Sequence, residues 1–214
     1  MFPAGIPRSK RLFDLALTIP GLLVVSPLLL VLALLVRLYH GSPVLFRQLR
    51  PGYRGEPFYI IKFRSMSEGR DHHGRLHSDA DRLTPLGGFL RMTSLDELPE
   101  LFLVILGKMS LVGPRPLLMQ YLERYSPEQM RRHLVLPGIT GWAQINGRNA
   151  LTWEDKFKLD VWYVDNWSLL LDIKILLLTL WKVIRREGIN QPGEATAVEF
   201  MGADHPSEEE GHVR

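Results

Sequence analysis

The chain has 214 residues, 46% of them apolar and 23% charged, which excludes a wholly disordered protein and favours one folded domain. It has no cysteine, which excludes a disulfide scaffold, a cysteine nucleophile and metal sites built on thiolates. The net charge of +3 is uneven, because residues 191–214 carry −5 and residues 1–190 therefore carry +8. The basic part predicts an anionic partner: a phosphorylated substrate, an anionic lipid or nucleic acid. The acidic part, residues 191–214, is predicted to be a disordered tail.

The N-terminal part contains an uncharged apolar segment from Leu15 to Val36. Its 22 residues would form about 33 Å of helix, roughly the thickness of the hydrocarbon layer of a membrane. Pro27, in the middle, lacks the N–H that would bond the carbonyl of Leu23, and its ring favours a kink. The hydroxyl of Ser26 can donate a hydrogen bond to a carbonyl that the proline frees. The segment is therefore predicted to be a membrane helix with a break at Ser26–Pro27.

Basic residues flank this apolar segment on both sides. They are Arg8, Lys10 and Arg11 before it, and Arg37, Arg47, Arg50 and Arg54 after it. Because positive side chains favour the cytoplasmic side, a spanning helix would leave one basic flank on the wrong side of the membrane. We therefore expect a monotopic, re-entrant helix hairpin over about residues 12–38, which returns both flanks to one side. A plain spanning helix with a tolerated proline is the alternative.

The following sequence, about residues 39–190, predicts an α+β fold that is mostly helical. Two runs of β-branched and aromatic residues, 43–48 and 57–63, flank a Gly/Pro turn and indicate a small β-hairpin. Helical patterns follow at 83–111, 117–132, 152–165 and 169–184. Charges interrupt the last of these stretches, so it is expected to pack on the body or to lie at the membrane interface as an amphipathic helix.

The strongest candidates for chemistry are two adjacent acids, Asp96 and Glu97. Ser94 followed by Glu97 is typical of a capping box, which places both acids in the first turn of a helix that ends at Gly107. Backbone N–H groups and the helix dipole there stabilise negative charge, which keeps a carboxylate ionised and favours bound phosphate. Such a pair can serve as a nucleophile or as Mg²⁺ ligands, or it can simply cap the helix.

Cationic and hydrogen-bonding residues accompany the acid pair. Arg115 stands between two prolines, whose rings restrict the backbone and suit its guanidinium to bidentate phosphate contact. A Gly-rich loop presents an aromatic face and polar groups that are suited to a planar base. The candidate substrate-binding residues are Lys62, Arg64, Arg91, Arg115, Trp142, Gln144 and Arg148. Each alone is more often a surface charge or a core aromatic, so the prediction depends on their combination.

Six ordered motifs carry a family resemblance. They are KRLFDLAL (10–17), SP (26–27), KFRSM (62–66), TSLDELPEL (93–101), SLVGPRP (110–116) and PGITGWAQINGR (137–148). Over about residues 8–190 the chain closely resembles the bacterial sugar transferase family, the monotopic polyprenyl-phosphate phosphoglycosyl transferases. It resembles the small members, which consist of the catalytic domain alone, so residues 1–190 are expected to form that domain.

The resemblance implies transfer of a phospho-sugar from a UDP-sugar to undecaprenyl or another polyprenyl phosphate, with release of UMP. By similarity, Asp96 is the nucleophile that forms a covalent aspartyl phospho-sugar, and Asp96 and Glu97 hold Mg²⁺. Asp160 matches an acidic position of the family and joins the substrate-binding candidates. The implied setting is the cytoplasmic face of the bacterial inner membrane, in the first membrane step of O-antigen, capsule, exopolysaccharide or glycoprotein glycan assembly. Membrane lipids and downstream glycosyltransferases are the implied partners.

Two other functions fit part of the sequence. A metal-dependent hydrolase of lipid diphosphates would use the same acid pair to activate water. A non-catalytic membrane scaffold would use the basic body and the membrane helix but would not need the acids. Nucleic-acid binding is not expected, because the basic residues are scattered among phosphate-site motifs and the chain is expected to be anchored in lipid.

Overall fold

The computed structural model describes residues 5–67, 69, 73, 75, 77–147, 151–185 and 199–202. The helices are α1 Arg8–His40, α2 Asp79–Arg82, α3 Pro85–Met92, α4 Glu100–Leu106, α5 Pro127–Met130, α6 Trp142–Asn146, α7 Trp153–Asn166 and α8 Leu169–Arg185. The strands are β1 Leu45–Pro51, β2 Pro57–Phe63, β3 Ser110–Val112 and β4 Gly138–Thr140. Turns of 3₁₀ helix cover Tyr53–Gly55, Leu95–Glu97, Met119–Arg124 and Arg131–Leu134. The expectation of a mostly helical α+β fold is confirmed.

The first helix, α1, is 33 residues long and continues through both Pro20 and Pro27. Its most apolar 18-residue window has a mean hydropathy of 2.7, and only 17% of that window is buried, so α1 can cross a membrane by length and composition. The Ser26 hydroxyl donates a hydrogen bond of 2.8 Å to the carbonyl of Leu23, which is the acceptor that Pro27 deprives of its usual donor. The predicted compensation is confirmed, whereas the helix does not end at the predicted break.

The first turns of α1 are anchored to the body by buried polar contacts. Lys10 is 3% exposed, and its Nζ lies 2.7 Å from Oδ2 of Asp172 in α8. Asp14 is fully buried and accepts a hydrogen bond of 3.1 Å from the hydroxyl of Ser110 in β3. Buried charges are tolerated when each has a partner. The N-terminal end of α1 is therefore fixed to α8 and β3.

The last turns of α1 pack on the same body through apolar side chains. Leu29, Leu32 and Val36 form a buried cluster with Phe63 of β2 and Leu90 of α3. The opposite face of α1 is exposed and apolar, with Leu12, Leu17, Ile19, Leu23, Val24, Leu30, Val31, Leu34 and Leu38 on it. Both ends of α1 thus contact one protein body, and the face that points away from this body is suited to lipid.

The predicted β-hairpin is confirmed. β1 and β2 pair antiparallel, with Leu45 opposite Phe63 and Pro51 opposite Pro57. The connecting turn contains Arg54 in the left-handed region, at φ 56°. The pairing places Lys62 near the end of β2, from which its side chain reaches the candidate acids.

A second sheet, β3 parallel to β4, was not predicted. Each strand has three residues, which is too short to show an alternating pattern. The strands approach so closely that a Cβ added to Gly138 would lie 2.1 Å from the backbone nitrogen of Gly113. Glycine is therefore required at this crossing. The loop that carries Arg115 leaves directly from the end of β3.

The local structure of the acid pair differs from the prediction. Asp96 and Glu97 lie in a separate 3₁₀ turn, and α4 begins only at Glu100. Ser94 adopts a left-handed conformation, at φ 56°, and makes no side-chain cap, so the predicted capping box is wrong. Pro99 explains the division, because proline cannot continue the hydrogen bonding of a preceding helical turn. The prediction that Gly107 ends the helix is confirmed, since it caps α4 at φ 77°.

The C-terminal half combines confirmed and wrong predictions. α7 and α8 match the predicted helices closely. The single helix predicted over residues 117–132 is wrong, because this stretch forms two 3₁₀ turns with α5 between them. Ser126 and Gln129 form a capping box at the start of α5, which makes a new helix begin in the middle of the stretch.

Four residues of the predicted disordered tail are described, and one of them is buried. Phe200 is 5% exposed and packs among Tyr121, Tyr125, Trp153 and Phe157, with ring centroids 5.0 to 5.9 Å apart. The prediction of disorder is therefore wrong for Glu199–Gly202. The rest of the tail lies outside the described residues.

Candidate active site

Glu97 is the centre of an ion-pair network. Its Oε1 lies 2.6 Å from Nζ of Lys62, and its carboxylate forms a bidentate pair with the guanidinium of Arg115. Lys62 comes from β2 and Arg115 from the loop after β3, so the two sheets converge on the acid turn. The structure thus brings together three of the residues that the sequence singled out.

A third acid, Glu100, joins this network and was missed in the sequence. It is 3% exposed, and its Oε1 lies 3.4 Å from Nζ of Lys62. Glu100 lies in the first turn of α4, three residues after Glu97, and the repeated acid in the string DELPE is the signal that could have identified it. Lys62 is therefore held between two carboxylates.

Asp96 has a different environment from its neighbour. It is 7% exposed and accepts no hydrogen bond from any residue that the structure describes. Arg91, Lys62 and Arg115 act on it through their charge rather than by direct hydrogen bonds. Asp96 is therefore a largely buried carboxyl group whose oxygens are available to react.

The three carboxyl groups titrate differently. Burial raises the pKa of Asp96 to about 6, and the charge of Glu97 adds to this increase. Burial would also raise the pKa of Glu97, but the charges of Arg115 and Lys62 outweigh it and hold that pKa well below its usual value. Burial raises the pKa of Glu100 to about 7, with a further increase from Glu97. At neutral pH Asp96 is thus ionised and close to its pKa, which suits a carboxylate nucleophile.

Arg115 is positioned by a buried pair behind it. Arg132 is 2% exposed, and its Nη2 donates hydrogen bonds of 2.7 Å to the carbonyl of Arg115 and of 2.7 Å to Oδ2 of Asp160. Arg132 was not predicted, and Asp160, expected among the substrate contacts, is 4% exposed and bound to it. Asp160 therefore contacts Arg115 through Arg132.

A cavity of about 410 Å³ adjoins the acid network. Its polar lining includes Arg91, Glu97, Arg115, Gln144, Lys156, Asp160 and Lys182, and its apolar lining includes Leu98, Leu101, Ile139, Ala143, Ile145 and Val183. The volume is within the range of small-molecule sites in proteins. Lys156 and Lys182 were not singled out in the sequence, because an isolated lysine on a helix is usually a solvated surface residue.

The other predicted site residues are divided between this cavity and other places. Gln144 lines the cavity; its Nε2 donates to the carbonyl of Ile139, and its buried Oε1 has no partner among the described residues. Trp142 instead stacks on Trp162, with ring centroids 5.0 Å apart.

Arg64 is not part of this site. Arg64 donates to the carbonyls of His40 and Ser42 at the end of α1, so it binds the helix terminus. Arg148 lies outside the described residues. Arg91 lines the cavity and donates from Nε to the hydroxyl of Ser65, at 3.0 Å.

Asp96 and Glu97 are the residues that would hold a Mg²⁺ ion if one binds together with a diphosphate. Mg²⁺ in phosphoryl-transfer sites is held by one or two carboxylates, with phosphate and water oxygens as further ligands. Asp96 has lone pairs that no described residue uses, whereas Glu97 shares its own with Lys62 and Arg115. No group of three or more acid or histidine ligands occurs in the part of the chain that the structure describes.

Comparison with known proteins gives a consistent result. Residues 7–186 match the family described as bacterial sugar transferase. The chain is 57% identical over 194 residues to a Bacillus subtilis (strain 168) protein named uncharacterized sugar transferase EpsL, covering 91% of this chain and 96% of that one.

Two further relatives carry more specific names. A UDP-glucose:undecaprenyl-phosphate glucose-1-phosphate transferase of Klebsiella pneumoniae is 44% identical over 183 residues, which cover 81% of this chain and 39% of the relative. An undecaprenyl-phosphate galactose phosphotransferase of Salmonella typhimurium (strain LT2) is 39% identical over 196 residues, which cover 84% of this chain and 41% of the relative. The chain thus spans about two fifths of the length of these two relatives.

Proposed function

Because the chain belongs to the bacterial sugar transferase family, we propose that it transfers a sugar 1-phosphate from a UDP-sugar to undecaprenyl or another polyprenyl phosphate and releases UMP. The names of the Klebsiella and Salmonella relatives support the lipid acceptor. The observation that carries the proposal is the buried carboxyl group of Asp96, which is free of hydrogen bonds from described residues and directly precedes Glu97 in the lining of a cation-lined cavity.

The proposed reaction has two steps at one carboxylate. An oxygen of Asp96 attacks the β-phosphorus of the UDP-sugar, an acyl phosphate bond forms, and the bond to the α-phosphate breaks with departure of UMP. A phosphate oxygen of the lipid then attacks the same phosphorus, which releases Asp96 as a free carboxylate and gives the polyprenyl-diphosphate-sugar. The covalent intermediate lets the two anionic substrates use the site in turn.

The surrounding positive charges reduce the electrostatic repulsion between the Asp96 carboxylate, the diphosphate and the lipid phosphate. Arg91 and Arg115 line the cavity and can bind phosphate oxygens, and Lys62 holds Glu97 beside the nucleophile. Mg²⁺, held by Asp96 and Glu97, would neutralise part of the diphosphate charge when bound. Gln144 lines the cavity, and its side-chain amide is a group that can hydrogen-bond to uracil.

We propose a monotopic location on the cytoplasmic face of the bacterial inner membrane, with α1 as a re-entrant helix. The support is that Lys10 at one end of α1 and Val36 towards the other both contact the same body, which a straight spanning helix would place on opposite sides of the lipid. A product at this face would pass to downstream glycosyltransferases.

The proposal is tested with protein in lipid vesicles that contain polyprenyl phosphate, supplied with Mg²⁺ and a panel of UDP-sugars. One sugar is expected to give UMP and lipid-linked sugar in equal amounts, and Asp96→Asn is expected to give neither. Asp165→Asn, a surface acid paired with Arg131, is the matched control and should retain activity. Mass spectrometry without lipid acceptor should find the phospho-sugar on the peptide that contains Asp96.

Other products would overturn the proposal. Release of inorganic phosphate from lipid diphosphates would indicate the hydrolase. Glycan assembly in cells that survives Asp96→Asn but not removal of α1 would indicate the non-catalytic scaffold. Turnover with an unmodified Asp96 would exclude the covalent route.

A further inference from the structure

Helix α8 forms one wall of the cavity and has two different faces. Thr179, Lys182 and Val183 line the cavity, and the hydroxyl of Thr179 lies 2.7 Å from that of Thr140 in β4, which fixes this face inward. The opposite face is apolar and exposed, with Leu170, Ile173, Leu177, Leu180 and Trp181 on it. The thickness of one helix, about 10 Å, thus separates the cavity from an apolar outer surface.

The cavity itself combines charged groups with an aliphatic wall. Arg91 and Arg115 supply positive charge, whereas Leu98, Leu101 and Ile139 supply apolar surface. A nucleotide sugar carries hydroxyl, phosphate and carbonyl groups along its length and has no hydrocarbon chain, whereas an isoprenoid chain gains about 25 cal/mol for each Å² that it buries. The wall therefore fits a ligand with an anionic head and a hydrocarbon chain.

Among the described cations that line the cavity, Lys182 is the one that belongs to α8, and it directly follows Trp181 of the exposed apolar face. Its side chain is half-buried, and it forms no ion pair with any acid in the described part of the chain. Lys62, by contrast, is held by Glu97 and Glu100, and Lys156 lies 4.6 Å from the ring centroid of Trp153. A half-buried ammonium without a protein anion is available to a ligand phosphate.

We propose that Lys182 binds the phosphate of the polyprenyl acceptor while Val183 and the aliphatic wall contact its first isoprene units. This inference rests on the proposed function and adds to it the residue that recognises the second substrate. Trp181 lies on the exposed apolar face of α8 and the next residue, Lys182, lines the cavity, so an acceptor whose chain rests on the apolar face can place its phosphate at Lys182.

The test compares KM for polyprenyl phosphate in wild type, Lys182→Ala and Lys182→Arg at saturating UDP-sugar. Loss of one charged hydrogen bond predicts an increase in KM of about tenfold or more for Lys182→Ala, and arginine should restore most of it. Lys174→Ala is the matched control, because Lys174 is an exposed lysine of the same helix that lies over Trp142. Lys182→Ala should reduce the UMP released in one turnover without lipid much less than it reduces transfer to the lipid.

Three results would overturn the assignment. The first is an unchanged KM in Lys182→Ala. The second is a loss of lipid-independent UMP release as large as the loss of transfer. The third is weaker binding of Lys182→Ala to phosphatidylglycerol vesicles in proportion to the rise in KM, which would make Lys182 a general anchor to anionic lipid. If the wild-type protein forms no lipid-linked sugar, the proposed function itself is refuted. The comparison of KM values does not depend on whether the aspartyl intermediate forms.

Discussion

Asp96 and Glu97 are neighbours in the chain, yet their carboxyl groups have opposite environments. Glu97 accepts its hydrogen bonds from Lys62 and Arg115, which hold its charge in place. Asp96 is buried beside that charge without a hydrogen bond of its own from the described residues. The ionised form of Asp96 therefore destabilises the folded state, as is common for reactive groups in active sites.

We expect Asp96→Asn to abolish UMP release and yet to stabilise the fold. Burial raises the pKa of Asp96 from 3.8 to about 6, so the ionised group destabilises the folded state above pH 6, by about 3 kcal/mol at 1.36 kcal/mol for each unit of pKa. Asparagine carries no charge and removes this cost. Denaturation in detergent should show the gain at pH 8 and a smaller gain at pH 5, because the cost disappears as the carboxyl group protonates.

Asp165→Asn serves again as the control, since an exposed ion pair contributes at most about 1 kcal/mol to the free energy of unfolding at either pH. An Asp96→Asn variant that unfolds more easily than wild type at pH 8 would contradict the expected cost.

The raised pKa of Asp96 also predicts that the rate of UMP release by the wild type falls as the pH drops below about 6, because the carboxylate becomes protonated.

Asp160 and Arg115 illustrate what a sequence leaves open about single residues. Both were expected to contact substrate, but the sequence gives no sign that Arg132 links them. Arg132 is one arginine among many in a basic chain, and its burial depends on a partner 28 positions away. Contacts at that separation have no local pattern, so they could be found only in the folded structure.

Secondary structure followed the sequence where periodicity was long and turn residues were clear. The hairpin of β1 and β2 and the helices α7 and α8 were predicted for this reason. The short pair β3 and β4 and the left-handed Ser94 were missed, because three-residue strands and a single unusual φ have no pattern of their own. The acid pair thus lies in a 3₁₀ turn rather than in the first turn of a helix, and its role as the reactive site stays a prediction.

The contacts at both ends of α1 lead to a test of its course in the membrane. The chain has no cysteine, so Ser9→Cys and Arg47→Cys each introduce one thiol, at exposed positions before and after the apolar stretch. We expect a membrane-impermeant maleimide to label both positions from the cytoplasmic side of the inner membrane. The Met201→Cys variant is the control for that side, because Met201 is exposed and belongs to the body. Labelling of Ser9→Cys from the opposite side would indicate a spanning helix.

Four residues of the acidic tail, Glu199–Gly202, pack on the body of the molecule together with its helices. The composition predicted a solvated acidic tail. A count of charges cannot show that one aromatic residue of this tail is buried among aromatic side chains of the body. Phe200 fills that pocket, its N–H donates to the hydroxyl of Tyr121, and Arg124 donates to its carbonyl and pairs with Glu199. One of its neighbours, Trp153, also lines the cavity, so the tail supports the wall of the site.

Phe200→Ala should lower the free energy of unfolding by about 3–5 kcal/mol, the usual cost of removing a buried phenylalanine ring. Met201→Ala, at an exposed neighbour, should change it by less than about 0.5 kcal/mol. Thermal denaturation of the two variants in detergent gives the comparison. Equal stability of Phe200→Ala and wild type would mean that the tail does not hold the aromatic cluster together in solution.

The ion pair between Lys10 and Asp172 also determines when the start of α1 can be fixed to the body during synthesis. The ribosome produces Lys10 162 residues before Asp172, so the apolar helix α1 is made before the partner of this ammonium group exists. Until α8 has been translated, Asp14 of the same helix is the acid whose charge acts on Lys10, and the pair is better solvated in water or among lipid headgroups than in the bilayer interior. The contact that fixes the start of α1 to the body therefore forms only after α8 has been made, and a nascent chain released before α8 would lack the partner of Lys10.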